Sequence, residues 1–307
     1  MADPSVDPDR FETRRATVRT GVDVAYVREG AGGRPLVLLH GFPETKRIWW
    51  RNIEPLADAG FEVIVPDLRG YGDSGPAPDG FYDIAAYSHD VHALVRDVLG
   101  HPSCAAAGGD LGGVVMYDLG LRFEGFVTSQ VLFNSVPPAL PEEQFAAAGV
   151  HGFGRWDPAT ADYFVRQGSD ADALAAELDT TERRLRYIEG FYGHRLWAGP
   201  GGFDPEATRF HSAPFADGSM LRTAFGAYES ALKTIPRSEP PRFREVNPVP
   251  TVVLYGPEDR VVPSTFPERC AVAFSHCVGP FHVPGAGHFL QWERAELFNR
   301  TVAGFVR

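Results

Sequence analysis

The sequence predicts a doubly wound, mostly parallel α/β sheet with a helical unit inserted into it. Between residues 35 and 135, apolar strand-like runs alternate with helix-like segments, which is the pattern of βαβ units. The alternation stops near residue 137, and the next stretch, to residue 247, is rich in aromatic residues and shows no clear strand. A run typical of a buried strand, TVVLYG, returns at residues 251–256.

Local sequence patterns predict each strand and helix before residue 137. Four apolar or small-residue runs predict buried strands, and two short runs before them predict a strand pair with Gly21 at its turn. Glycines at 60 and 100 end two of the three predicted helices. The strands are RRATVRT, VDVAYVREG, PLVLLH, FEVIVPDLRG, SCAAAGG and VTSQVLFNS, and the helices are KRIWWRNIEPLADAG, AAYSHDVHALVRDVLG and GGVVMYDLGLRFEG.

Local sequence patterns also predict the elements of the inserted unit and of the final part of the chain. The insertion contains three helix-like stretches, TADYFVRQG, ERRLRYIEGFYGHRLW and SMLRTAFGAYESALKTI, and a proline-rich segment closes it. After TVVLYG, the runs CVGPFHV and LFNRTVAGFVR predict the last strand and the last helix. We therefore expect a core domain formed by residues 1–136 and 248–307, with a helical cap at 137–247.

Composition narrows the class of protein. A chain of 307 residues, 44% of them hydrophobic, can bury a large core. A net charge of −11 argues against nucleic-acid or anionic-membrane partners, which need basic patches. The three cysteines show neither metal-ligand nor disulfide spacing, and the start of the chain has no signal-peptide pattern, so we expect a cytoplasmic protein. No apolar run approaches the length of a membrane span.

Three potentially reactive residues follow predicted strands, where open α/β sheets place their chemistry. Asp110 follows SCAAAGG, Asp259 follows TVVLYG, and His288 follows CVGPFHV. Their chain order is nucleophile, acid, base, which is the order of hydrolases on such sheets.

Each of these residues also has a plain structural interpretation. Asp110 could cap a helix, Asp259 could form a turn, and His288 could pack among small residues. A cap does not require glycines two residues before and after it, at 108 and 112, whereas a strained strand-to-helix elbow does. The conjunction of all three residues favours a functional site.

Five motifs carry a family resemblance: HGFPE at 40–44, DLRGYGDS at 67–74, GGDLGG at 108–113, YGPED at 255–259 and GAGHF at 285–289. Together they resemble the α/β-hydrolase superfamily, and the nearest branch is the epoxide hydrolases. The resemblance covers nearly the whole chain and is specific in the core domain. It implies the α/β-hydrolase fold with a cap, and an aspartate, Asp110, in place of the usual serine of the elbow.

The resemblance also implies a mechanism. Asp110 attacks an epoxide carbon and forms an ester, and His288, oriented by Asp259, activates the water that hydrolyses it. The backbone N–H groups of Phe42 and Leu111 would form the oxyanion hole, and the Phe42-Pro43 peptide bond would be cis. His40 would be structural.

Tyrosines of the cap protonate the epoxide oxygen in this family. Tyr228 matches the second of the usual two. For the first, Tyr163 lies in the right region and His151 is a substitute. Among the cap aromatics, Trp156 is a further candidate for substrate contact. The implied partners are a small apolar epoxide and water, with no metal and no organic cofactor.

Two alternatives stay open. Haloalkane dehalogenases use the same aspartate, but typically have tryptophan directly after it and often asparagine in the HG loop, where this chain has Leu111 and Phe42. Haloacetate dehalogenases carry arginine after the nucleophile. A hydrolase-fold binding protein without turnover is the other alternative. The sequence leaves the choice between a monomer and a homodimer open.

Overall fold

The structure is a computed structural model that describes residues 4–152, 154, 162–193 and 197–306. These residues form one eight-stranded sheet. The strands are β1 (Arg14–Thr17), β2 (Asp23–Glu29), β3 (Arg34–Leu39), β4 (Phe61–Pro66), β5 (Cys104–Gly109), β6 (Val127–Ser135), β7 (Thr251–Tyr255) and β8 (Cys277–His282). Their order across the sheet is β1-β2-β4-β3-β5-β6-β7-β8.

The strand directions confirm the predicted architecture. β2 pairs antiparallel with both β1 and β4, and every later pairing is parallel. β4 and β5 are buried along their whole length, as expected for strands covered by helices on both faces. The sheet is therefore mostly parallel and of the α/β type.

The helices before the insertion are α1 (Ile53–Asp58), α2 (Ile84–His92) and α3 (Asp110–Arg122). Between β6 and β7 lie α4 (Glu142–Ala147), α5 (Asp162–Ser169), α6 (Ala171–Glu177), α7 (Thr181–Gly193), α8 (Pro205–Ser212), α9 (Gly218–Ala224) and α10 (Gly226–Leu232). The last helices are α11 (Phe266–Ala273), α12 (Leu290–Glu293) and α13 (Ala295–Phe305). The described residues between β6 and β7 contain no strand, and a cap with the bounds 137–247 stays a prediction. Nowhere in the described ranges is a helix both long and apolar enough to span a membrane.

Two predicted helices are broken in the structure. The stretch 46–60 forms one 3₁₀ turn, Lys46–Trp49, followed by α1, because Pro55 has no N–H for a continuous helix and its ring would collide with the carbonyl four residues earlier. The stretch 219–235 divides into α9 and α10 at Phe225. The N–H of Phe225 donates a hydrogen bond to the carbonyl of Arg222, three residues earlier.

Glycines of β5 and α3 allow these two elements to pack unusually close to the neighbouring strands β6 and β3. A Cβ at Gly109 would lie 2.4 Å from the Phe133 ring of β6, and one at Gly112 would lie 2.3 Å from the Leu39 carbonyl of β3. Either contact is closer than heavy atoms approach each other without displacement. The start of α3 is therefore fixed directly over the carboxyl ends of β3 and β6.

Candidate active site

Asp110 forms the elbow between β5 and α3. Its φ of +46° lies in the left-handed region, which is strained for a residue with a side chain. The N-cap of α3 is Gly109, not Asp110, and no side chain caps that helix. The Asp110 carbonyl accepts a hydrogen bond from Ser135 Oγ at 2.7 Å, which holds the strained turn from β6. The elbow is present, and the interpretation of Asp110 as a helix cap is wrong.

The Asp110 carboxylate contacts two other segments. Phe42 N donates to Oδ1 at 2.8 Å, and Oδ2 lies 3.4 Å from His288 Nε2. The HGFPE loop comes close because residue 41 is glycine: a Cβ there would lie 2.4 Å from Asp110 Oδ1. The peptide bond between Phe42 and Pro43 is cis, as expected. One carboxylate oxygen is thus held by a backbone N–H while the other faces the imidazole.

His288 is fully buried and is oriented by Asp259. Its Nδ1 lies 2.8 Å from Asp259 Oδ2, and the other carboxylate oxygen accepts from the N–H groups of Val261 and Val262 at 2.8 and 3.1 Å. Burial lowers the pKa of His288, but Asp259 and Asp110 together outweigh burial and raise it well above its ordinary value. The histidine is therefore charged at neutral pH as long as both carboxylates are anionic.

Asn134, at the end of β6, holds the acid and the histidine loop together. Its Nδ2 donates to Asp259 Oδ2 at 2.9 Å and to the Gly287 carbonyl at 3.0 Å, while its Oδ1 accepts from Gly256 N at 2.8 Å. The residue is fully buried and has a φ of +33°. Sequence reasoning missed Asn134, although its position at the end of a predicted strand was a usable signal.

Tyr163 of α5 and Tyr228 of α10 lie together over the Asp110 loop. Their ring centroids are 5.5 Å apart, and the Phe42 ring lies 6.3 Å from the first and 5.4 Å from the second. Burial raises the pKa of both phenols well above the ordinary value, and the negative charge of Asp110 raises each further. Both side chains are therefore neutral phenols at physiological pH.

Aromatic side chains complete the wall around these groups. The Trp197 ring lies 4.7 Å from His288 and 5.0 Å from Tyr163, and Phe191 lies 4.8 Å from Trp197 and 5.4 Å from Phe42. All are buried. The surroundings of the Asp110 carboxylate are thus mainly aromatic, which suits an apolar substrate.

Glu44 is a second buried carboxylate near this site and was also missed. Its Oε2 accepts from Gly41 N at 2.6 Å and its Oε1 accepts from Gln291 Nε2 at 2.8 Å. Burial raises the pKa of Glu44 to about 7, although the Gly41 bond and the charge of His288 lower it. Its negative charge in HGFPE was visible in the sequence, but its complete burial was not.

Four residues singled out in the sequence remain to be located: Leu111, His151, Trp156 and His40. Leu111 is the second residue of α3, so its N–H has no carbonyl partner within that helix. His151 is exposed in the loop after α4. Trp156 lies outside the described residues. His40 is structural, as expected, since it accepts from Leu68 N at 2.9 Å.

Among the described residues, no group of three or more histidine, cysteine, aspartate or glutamate side chains could hold a metal ion. The described cysteines are also unpaired, and Cys104 and Cys270 are buried. What the site offers is a carboxylate, a paired imidazole and two phenols.

Comparison with known proteins agrees with this geometry. Residues 34–295 match the model of the alpha/beta hydrolase fold. The chain is 30% identical to Epoxide hydrolase A of Mycobacterium tuberculosis, over 92% of this chain and 93% of that protein. It is 28% identical to a haloalkane dehalogenase of Bradyrhizobium diazoefficiens, over 97% and 95%. The solved structure of the epoxide hydrolase CorEH superimposes with a TM-score of 0.79, at 22% identity, over 96% of this chain and 98% of that one. The chain therefore belongs to the α/β-hydrolase family, within its epoxide hydrolase branch.

Proposed function

We propose that this protein hydrolyses an epoxide to a vicinal diol through an ester on Asp110. One observation carries the proposal: the Asp110 carboxylate is near the paired imidazole of His288 and within the electrostatic reach of two neutral phenols. A strained ether needs a nucleophile on carbon and a proton donor on oxygen, and this arrangement supplies both. The resemblance to Epoxide hydrolase A supports the same activity.

In the first step, an oxygen of Asp110 attacks an epoxide carbon and a C–O bond forms. The opposing C–O bond of the epoxide breaks, its electron pair stays on oxygen, and that oxygen takes a proton from Tyr228 or Tyr163. A carboxylate needs no deprotonation before it attacks. The raised pKa of each phenol keeps its proton in place until the alkoxide, a much stronger base, develops.

In the second step, His288 Nε2 takes a proton from water, whose oxygen attacks the carbonyl carbon of the ester. The oxyanion that forms is stabilised by the N–H groups of Phe42 and Leu111. It collapses with cleavage of the bond between carbonyl carbon and alkyl oxygen. The diol leaves with the proton from His288. The second proton of the water returns to the phenolate left by the first step, so Asp110 is a carboxylate and the tyrosine a neutral phenol again.

Ester formation also prepares the base. Asp110 is one of the two carboxylates that raise the pKa of His288. Alkylation converts it to a neutral ester and removes that contribution, so the pKa of His288 falls at the step where the histidine must accept a proton. The orientation by Asp259 at 2.8 Å persists throughout.

Turnover of two substrate classes tests the proposal. Purified protein is incubated with styrene oxide and, separately, with 1-bromobutane, while diol and bromide are measured. We expect diol from the epoxide, no diol with Asp110→Ala, and no bromide release above background. Bromide release without diol formation would instead support the dehalogenase, and binding of either compound without turnover would support the non-catalytic protein.

The other expectations from the sequence stay part of this proposal. The substrate is a small apolar epoxide, because the described wall around Asp110 is aromatic. Contacts of Trp156 and His151 with the substrate, a cytoplasmic location and assembly as a monomer or homodimer stay predictions.

A further inference from the structure

The backbone on both sides of His288 is held by one carboxylate, that of Glu293. Gly287 N donates to Oε2 at 2.7 Å, and Phe289 N donates to Oε1 at 3.1 Å. Glu293 ends the short helix α12, directly after the histidine loop. Each oxygen of this side chain therefore fixes one residue neighbouring the histidine.

The same carboxylate also binds the insertion. Gly199, in the segment after α7, donates its N–H to Glu293 Oε2 at 2.9 Å. Two residues before it, the Trp197 carbonyl accepts the N–H of His288 itself at 2.7 Å. All three consecutive N–H groups from Gly287 to Phe289 are thus occupied, two by Glu293 and one by the insertion.

Close backbone approach shows that these contacts form one packed unit. A Cβ at Gly287 would lie 2.2 Å from Gly199 N, and a Cβ at Gly199 would lie 2.5 Å from the Gly285 carbonyl. Neither glycine has room for a side chain. The segment 197–199 therefore lies directly on the histidine loop, and Glu293 joins the two from the core side.

We propose that Glu293 is a positioning residue for His288, which sets the imidazole by holding Gly287, Phe289 and Gly199 at once. The inference rests on the proposed function, in which His288 acts on the ester and not on the epoxide. Loss of the carboxylate lets the histidine loop shift relative to Asp110, where the separation is 3.4 Å. The effect then falls on ester hydrolysis and spares alkylation.

Glu293→Gln tests this, because it keeps the size of the side chain while turning an NH₂ group toward one of the backbone donors. Rapid quenching and intact-mass analysis give the rates at which the ester forms and decays. We expect ester decay to slow about tenfold to hundredfold, the scale of a small misplacement of a reacting group, with ester formation within about threefold. Glu296→Gln, a carboxylate of α13 whose side chain is 84% exposed, is the matched control and should match the wild type.

The outcomes separate the two proposals. Wild-type decay in Glu293→Gln, or equal slowing of both steps, contradicts the positioning role while leaving the proposed function intact. No ester in either the wild type or His288→Gln contradicts the proposed function. The ¹⁵N spectrum of His288 in Glu293→Asp needs no substrate and keeps the negative charge that interacts with the imidazole. A shifted imidazole pKa in that variant but not in Glu296→Gln supports positioning, and an unchanged pKa contradicts it. If the glutamine variant does not fold, Glu293→Asp, which is too short to reach all three N–H groups, is measured in the same way.

Discussion

His288 Nε2 lies 3.4 Å from Asp110 Oδ2 and has no hydrogen-bond partner among the described residues. That separation is too long for a good hydrogen bond. It is short enough that the two charges interact strongly in a buried site. Nε2 is therefore not committed to Asp110. In the proposed mechanism it can accept a proton from water once ester formation has lowered the pKa of the histidine.

Isotope labelling tests the ester on Asp110. In a single turnover in ¹⁸O-water, the solvent oxygen should enter the Asp110 carboxylate and not the diol, because water attacks the carbonyl carbon and the alkyl oxygen comes from the enzyme. Peptide mass spectrometry locates the label. Repeated turnover, the control, should then carry label into the diol. Label in the diol of the first turnover would rule out the covalent route.

His288→Gln should form the ester and then stall, since only the second step needs a base. Ester decay should slow by at least about a hundredfold, within the usual scale of general base catalysis. Asp259→Asn should slow the same step, because the amide no longer orients the imidazole at 2.8 Å. Glu258→Gln changes the neighbouring carboxylate, whose side chain is 38% exposed, and should have little effect. A larger effect of Glu258→Gln than of Asp259→Asn would reassign the acid.

Tyr228→Phe should slow ester formation about tenfold to thousandfold, the range for loss of a general acid. Ester decay should be nearly unchanged, because no alkoxide forms in that step. Tyr163→Phe should also slow ester formation. If the two phenols share the protonation of the epoxide oxygen, each single variant should lose less of the rate. Tyr26→Phe removes a hydroxyl from buried β2 and serves as the control in pre-steady-state measurements. Unchanged alkylation by Tyr228→Phe would limit that residue to packing.

The stability of the protein should depend on Glu44 between pH 4.5 and pH 7. Burial raises the pKa of Glu44 from 4.5 to about 7, so in this window the unfolded chain loses its proton while the folded protein keeps it. The free energy of unfolding therefore falls as pH rises, by about 3 kcal/mol in total for this group.

Glu44→Gln has no proton to lose at this position. Its stability relative to the wild type should improve by that amount between pH 4 and pH 8, whatever constant offset the amide introduces. Urea unfolding at several pH values measures the difference, with Glu143→Gln at an exposed position of α4 as the control. Parallel pH profiles for wild type and Glu44→Gln would contradict the buried titration.

Much of the framework was predictable from local patterns. The inner strands β3 to β7 appear in the structure close to where their apolar or small-residue runs lie, because a parallel strand buried on both faces must be apolar along its length. The elbow at Asp110 was visible because glycines at 108 and 112 are required by contacts with the adjacent backbone. The broken helix at 46–60 shows the limit of such patterns, since a stretch predicted as one helix ending at Gly60 forms a 3₁₀ turn and a separate helix α1.

The sequence by itself therefore determined the order of the strands along the chain, the elbow and the three residues that follow strands. Each of these depends on side-chain periodicity or on backbone conformations that a few neighbouring residues decide. The tertiary structure alone decided that Asn134 would hold Asp259, that Glu44 would be buried with a raised pKa, and that Tyr163 would lie beside Tyr228. These relationships join segments far apart in the chain. They depend on which strands, loops and helices become neighbours in the folded chain, which no local pattern specifies.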